Sequence, residues 1–422
     1  MKNFIKFVKM SYNSIYFNEK LKHLNISELL NKAVPILMGT LVFFNSFPHV
    51  TSIKEICFFF SVIFVVFLIL LKKIRLSFRS PLLIPLGIFT IWALLSVFFA
   101  IDKKNSFTDF YSHLLRYLIF YFILINYFDS KKRIEILSWT IIISASIFSV
   151  GGLGYYYWIQ GNDITSRFAL GFQETNTNLI GIMTLFAIIL SVNHFSNKIH
   201  LSQKIILIFC VLVLTATTVL TQTRSNLVAM GLAFFVLAIK NKKLLLSFLL
   251  ILIIIIFCTP LKERFNSASE GSIWHRIALT YISIEIIKDY PIIGTGFSID
   301  TFGISEFIDQ NKYNSRIPSK YWLSEEMFKI PHNMFLSIAT RTGIIGLILY
   351  LYVILAFFIM CLKLIKDGKD AFIKKWGLCI LSSGIMFIIK GCFEPIFSHF
   401  AELIFFTIFS MATILYRINN SS

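Results

Sequence analysis

Three side chains have the type and setting to act on an anionic substrate. His332 follows Pro331 and precedes Asn333 at the head of a long apolar run. An ordinary imidazole titrates near neutrality, so it can take a proton from an attacking hydroxyl, although a lone histidine at a helix start often only caps or packs. Arg224, in Thr221-Gln222-Thr223-Arg224-Ser225, falls in a near-absent loop between two apolar runs. A cation at that depth is costly unless it meets an anion. Arg276 lies on a helix-patterned stretch outside the apolar runs, facing neither an obvious acid nor a clear apolar stripe. Guanidinium is a planar fork that grips carboxylate or phosphate at two points, whereas lysine is a hydrated point charge.

The elements that must hold these residues are set by composition. The 422 residues are 56% hydrophobic and only 15% charged, with 46 phenylalanines, and mean hydropathy is +0.75. Soluble domains carry roughly 25% charged residues. A cytosolic enzyme, a disulfide scaffold and a disordered chain are excluded; the fold class is all-α, polytopic in a membrane. Six cysteines lie in or near apolar runs without a CxxC pair and read as small hydrophobes. No Asp-x-Asp pair occurs, so neither a catalytic metal nor another cofactor is expected.

About twelve crossing segments are expected, near 33–50, 55–71, 82–101, 113–128, 136–158, 177–194, 204–221, 225–239, 244–259, 333–365, 376–391 and 399–416. The 333–365 run contains Arg341 and Gly343, and should be a short helix, a break, then a crossing helix. Basic clusters at 72–79, 131–133, 240–243 and 363–375, with six lysines in the 1–32 arm, place both termini inside. Positive charge therefore follows membrane topology, with no need of nucleic acid. The organisation is an arm (1–32), nine spans (33–259), a loop (260–332), and three spans with an inner C-terminus (333–422).

This orientation puts the 73 residues from Pro260 to His332 outside. A loop so long should be functional and partly ordered. Ser272–Asp289 has Ile273, Ile277, Tyr281 and Ile284 at helical spacing, closed by Pro291 and Gly294/Gly296. Ser319–Lys329 is expected to form a second short helix, with Trp322 at the membrane surface. Seven of the 11 arginines also fall outside: Arg116, Arg167, Arg224, Arg264, Arg276, Arg316 and Arg341. That bias points to an anion such as a phosphate-bearing lipid. The plain alternative is snorkelling or pairing with Glu263 or Glu285. Spans almost free of charge, with no visible repeat, argue against an ion-coupled carrier.

Taken in order, these motifs resemble the O-antigen ligases of Gram-negative bacteria. Pro331-His332-Asn333, nine residues, then Gly343-Ile344-Ile345-Gly346 is similar to their His-Asn-x9-Gly-x2-Gly signature. Thr221-Gln222-Thr223-Arg224 resembles their mid-chain arginine. Trp274-His275-Arg276 resembles their loop arginine, and Arg167, ahead of Gly171 and Asn176, a weaker element.

The resemblance implies a membrane-embedded, inverting, metal-independent glycosyltransferase in the inner membrane, with one large periplasmic loop. It implies a donor polysaccharide on undecaprenyl pyrophosphate and a lipid A-core sugar as acceptor. His332, Arg224 and Arg276 become the expected catalytic set. Arg167, Asn333, Arg341 and Arg116 are the expected substrate-binding residues. An O-antigen polymerase joining repeat units on the same carrier is the nearest alternative. A lipid-linked polysaccharide flippase is the alternative of another class, and it would need a polar central cavity that these apolar spans do not offer.

Overall fold

The computed structural model describes residues 26–168, 177–195, 199–238, 270–324, 327–395 and 399–421. Among them the chain is helical throughout, without strands. In order, the helices are α1 (Ile26–Phe44), α2 (Thr51–Leu70), α3 (Leu83–Phe98), α4 (Lys103–Asp109), α5 (Arg116–Tyr127), α6 (Lys131–Leu153), α7 (Thr177–Phe195), α8 (Leu201–Leu220), α9 (Arg224–Ala238), α10 (Glu270–Asp289), α11 (Gln310–Ser315), α12 (Met334–Asp367), α13 (Ala371–Gly391) and α14 (His399–Asn420). A π-helical segment, Phe110–Leu115, joins α4 to α5. Eight of these are long and apolar enough to cross a membrane, and α3 and α9 are shorter apolar helices. The expected span at 244–259 and most of the 1–32 arm lie outside the described residues.

Burial separates inner from peripheral helices. α7 and α14 have 83% of their apolar window buried, whereas α2 and α8 have 28%. The outer helices can expose Ile and Phe because their solvent is hydrocarbon. The inner ones pack small residues: Ser144, Thr184, Ser191, Ser383 and Ser410 are buried and bond to backbone carbonyls, which satisfies hydroxyls where water is absent. α13 packs on α7, α9, α12 and α14, at the centre of the bundle.

The long helix α12 breaks as its sequence implies. Gly343 adopts φ 72°, ψ −178° between helical neighbours. The 291–296 turn fills the break: Ile344 N donates to Pro291 O (2.8 Å), Thr295 N to Thr340 O (2.9 Å) and Gly296 N to Arg341 O (3.1 Å). A Cβ on Gly343 would lie 2.0 Å from Ile292 O, and one on Gly294 would lie 2.4 Å from the Arg341 carbonyl carbon. Glycine is needed at both positions, for positive φ and for close backbone approach. The loop is thereby stitched to the membrane helix that carries His332 at its head.

The loop has its own small core. α10 buries Ala278, Leu279, Ile282 and Ile286 against Phe302, Ile308, Tyr313 and Phe328. The expected stripe of Ile273, Ile277, Tyr281 and Ile284 is instead the exposed face. α10 is apolar on two sides, and helical spacing alone does not say which side docks. Of the second expected helix, Ser319–Lys329, the described residues form a 3-10 turn at Ser319–Tyr321 rather than an α-helix. The helix falls earlier, at Gln310–Ser315, where the Asp309 carboxylate accepts from Lys312 N (3.1 Å) as an N-cap.

Candidate functional site

The start of α12 is fixed by a cap beside His332. Asn333 Oδ1 accepts from Phe335 N (2.9 Å) and Leu336 N (3.0 Å), while its amide donates to Cys392 O (3.3 Å). The second contact ties the His332 region to the segment after α13. There Glu394 sits 1% exposed. Its Oε2 is 3.5 Å from His332 Nδ1, and its Oε1 is 3.5 Å from Arg276 Nη2. Asn178 Nδ2 also donates to Oε1. One carboxylate thus joins α7, α10 and the head of α12. Both 3.5 Å approaches exceed ordinary hydrogen-bond length, so neither His332 nor Arg276 is locked to it.

Four residues before Glu394, Lys390 is fully buried near the end of α13. Its ammonium donates to Asn226 Oδ1 (2.6 Å), Ser225 Oγ (2.7 Å) and Asn178 Oδ1 (3.4 Å). These are the residues immediately after Arg224 and at the head of α7. The close approach of Asn226 is possible because residue 181 is glycine; a Cβ there would lie 2.0 Å from Asn226 Oδ1. Arg224 opens α9, half-buried, directly after a turn in which Gln222 takes φ 48°. The Gln222 side chain bonds Thr165 O (2.7 Å), which draws the 160s loop to the same place.

Arg167 arrives on that loop. Its Nε donates to Thr221 O (3.0 Å), and its Nη2 donates to Thr223 Oγ1 (3.3 Å) and to Thr177 Oγ1. Through Thr177 and Asn178 it adjoins the Glu394 group. The structure therefore brings together Arg167, Arg224, Arg276, His332 and Asn333, drawn from segments far apart in sequence. The heads of α7, α9 and α12 meet in the same network. Helix N-termini carry unpaired N–H groups and partial positive charge, which favour an anion. Among the described residues, Arg276 and His332 approach the buried acid Glu394 directly, and Lys390 lies four residues before it.

Two other expected binding residues lie elsewhere. Arg341 is 3% exposed; its Nε donates to Phe297 O (2.9 Å) and its guanidinium carbon lies 4.1 Å from the Phe297 ring centroid. Its contacts fasten the loop turn to α12. Arg116 pairs with Glu55 (2.8 Å) over the Phe58 ring, in a cavity of about 80 Å³ shared with Lys54 and Tyr117. A separate His113–Glu402 pair (2.8 Å) lines a cavity of about 40 Å³ otherwise walled by aromatic and aliphatic side chains.

Sequence reasoning passed over Lys390, Glu394 and Asn178. Lys390 closes an apolar run, where a lysine reads as an ordinary helix-end charge, and Glu394 sits in the short link to the last span. The available signal was the Lys390/Glu394 pair, four residues apart, in a stretch otherwise without charge. Ionisable groups at such depth are costly and mark function. His275, whose Nε2 faces Met327 O (2.9 Å), also packs edge-on to His332 with ring centroids 6.3 Å apart.

Comparison with known proteins adds one finding. Residues 208–351, about one third of the chain, match the family described as O-antigen ligase. That stretch holds Arg224, Arg276, His332, Asn333 and Gly343. It excludes Arg167, Lys390 and Glu394, which reach the same site from outside it. No curated protein matches the chain.

Proposed function

We propose that this chain, a member of the O-antigen ligase/polymerase superfamily through its 208–351 domain, is an O-antigen ligase. It transfers polysaccharide from undecaprenyl pyrophosphate to a sugar of the lipid A core, on the periplasmic side of the inner membrane. The observation that carries the reading is the junction of Arg276 and His332 on the buried carboxylate of Glu394.

The chemistry follows from what each group can supply. An acceptor hydroxyl attacks the anomeric carbon from the face opposite the leaving group, so the configuration inverts. The bond from that carbon to the pyrophosphate oxygen breaks, and negative charge grows on the departing pyrophosphate. Arg276 and Arg224, with Arg167 beside them, stabilise that charge from fixed positions. Held only at 3.5 Å by Glu394, Arg276 is able to turn its fork to the phosphate. His332 accepts the acceptor's proton; Nδ1 is the nitrogen nearest Glu394, leaving Nε2 for the hydroxyl. A base standing beside a carboxylate, here at 3.5 Å, needs only a small closure to gain the orienting hydrogen bond of a catalytic triad. Lys390 holds the Arg224 turn against α7 and α13. Pyrophosphate departs readily, so the reaction needs neither nucleotide nor metal.

The test is reconstitution of the full chain in vesicles with a lipid-linked polysaccharide and lipid A-core. The expected product is polysaccharide joined to the core. Elongation of the glycan on its carrier, with a bare core, makes the protein a polymerase instead. Movement of the carrier across the bilayer without any new glycosidic bond makes it a flippase.

A further inference from the structure

At the opposite, basic end of the bundle, two adjoining depressions have no part in this chemistry. The first is an open groove of about 480 Å³ between α1 and α6, lined by Pro35, Ile36, Gly39, Phe43, Ile136 and Thr140. A Cβ at Gly39 would meet nothing within 4 Å, so the groove floor is a missing side chain on α1. From Pro35 to Phe44 it runs about 14 Å at 1.5 Å per residue, close to half of the ~30 Å hydrocarbon core. The second is a polar pocket of about 760 Å³ that includes Lys32, Arg75 and Asn31. Pro35 and Arg133 line both, so the apolar groove opens directly into the polar pocket.

The charges in the polar pocket are not balanced. Lys32 is paired with Glu28 (2.6 Å), and Arg133 reaches Asp129 (3.0 Å) through one nitrogen, Nη1, which also donates to Tyr127 O. Arg75 is exposed and has no hydrogen-bond or ion-pair partner among the described residues. The Nε and Nη2 of Arg133 are likewise uncommitted among them. Two arginine forks therefore stand at the mouth of an apolar groove about one leaflet deep.

We propose that this is a binding site for one anionic phospholipid, with an acyl chain along Gly39 between α1 and α6 and its phosphate between Arg75 and Arg133. Charge complementarity selects an anionic headgroup over a zwitterionic one. Nothing in the site touches the glycosyl-transfer groups, so the inference stands or falls independently of the proposed reaction.

The test is native mass spectrometry of the delipidated full-length protein, titrated separately with phosphatidylglycerol and phosphatidylethanolamine. One phosphatidylglycerol should be retained in preference. Arg75→Gln and Arg133→Gln should each weaken it about fivefold, the equivalent of ~1 kcal/mol per basic residue beside an anionic headgroup. Arg75→Gln removes no hydrogen bond or ion pair among the described residues, so it reads binding with little effect on folding. Gly39→Leu, which fills the groove from an open position, should displace the lipid. Equal retention of both lipids overturns the proposal, as does unchanged binding in Gly39→Leu. Displacement by glycerol phosphate as efficiently as by whole lipid would mean a free-anion site and also overturns it.

Discussion

Arg276 and Arg341 are both loop-associated arginines near the same end of the bundle, yet their surroundings are opposite. The Arg276 side chain keeps 38% of its surface exposed and meets an acid only at 3.5 Å. Arg341 is buried, stacked on Phe297 and bonded to that residue's carbonyl. A guanidinium whose donors go to protein carbonyls is part of the architecture. One that is loosely held beside a buried carboxylate and a histidine is available to a ligand. The identity of the residue is the same in both cases; the partners separate the roles.

That contrast can be broken by mutation. Arg276→Ala should lower transfer by 10²-fold or more, roughly the loss of one oxyanion-stabilising donor, with membrane abundance unchanged. Arg341→Met should do the reverse. It leaves Phe297 O without its donor and costs about 1–3 kcal/mol of stability, read as lower abundance and melting temperature with activity per folded molecule largely kept. Equal loss of specific activity in both variants would erase the distinction.

Glu394→Gln sharpens it further. The amide keeps the shape but removes the charge that gathers Arg276 and His332, so transfer should fall about 10–100-fold, in the range seen for groups that orient catalytic ligands. Donor lipid should bind as well or better, because Arg276 no longer has a competing anion. Weaker donor binding in a flotation assay would count against this role.

The smallest effect concerns the loop itself. Asp289 is held down at about 2 by hydrogen bonds from Lys312 and Arg316. Free aspartate titrates near 3.9, so the carboxylate's contribution is complete above that value and is lost as pH falls toward 2. Protection factors for amide exchange across α10 and α11, corrected for the pH dependence of intrinsic exchange, should be unchanged between pH 7 and 5 and should fall below about pH 4. Asp289→Asn should abolish that pH step, and exchange that ignores the substitution would remove Asp289 from the loop's stability.

Much of this was legible in the residues. The break at Gly343, the helix ending at Asp289 and the polytopic helical class all follow from local rules of glycine, periodicity and hydropathy. Arg224, Arg276 and His332 were singled out by residue type and setting. What local rules could not supply was pairing across distance. The docked face of α10 depended on Phe302 and Phe328 far along the chain. Glu394 and Lys390 gain meaning only when α7, α9 and α10 are brought beside them. Arg116 and Arg341 look like anion ligands in sequence because Glu55 and the Phe297 carbonyl are not visible as their neighbours.

In the proposed reaction the Arg276–Glu394–His332 junction performs glycosyl transfer, with arginine on the leaving group and histidine on the acceptor. It is tested most directly by measuring donor binding and transfer side by side in His332→Ala, in vesicles with matched protein abundance. Near-normal retention of the pyrophosphate-linked donor is expected, with transfer reduced ~10²–10⁴-fold, the usual contribution of a general base. Loss of donor binding in proportion to transfer would contradict it and make His332 a pyrophosphate ligand.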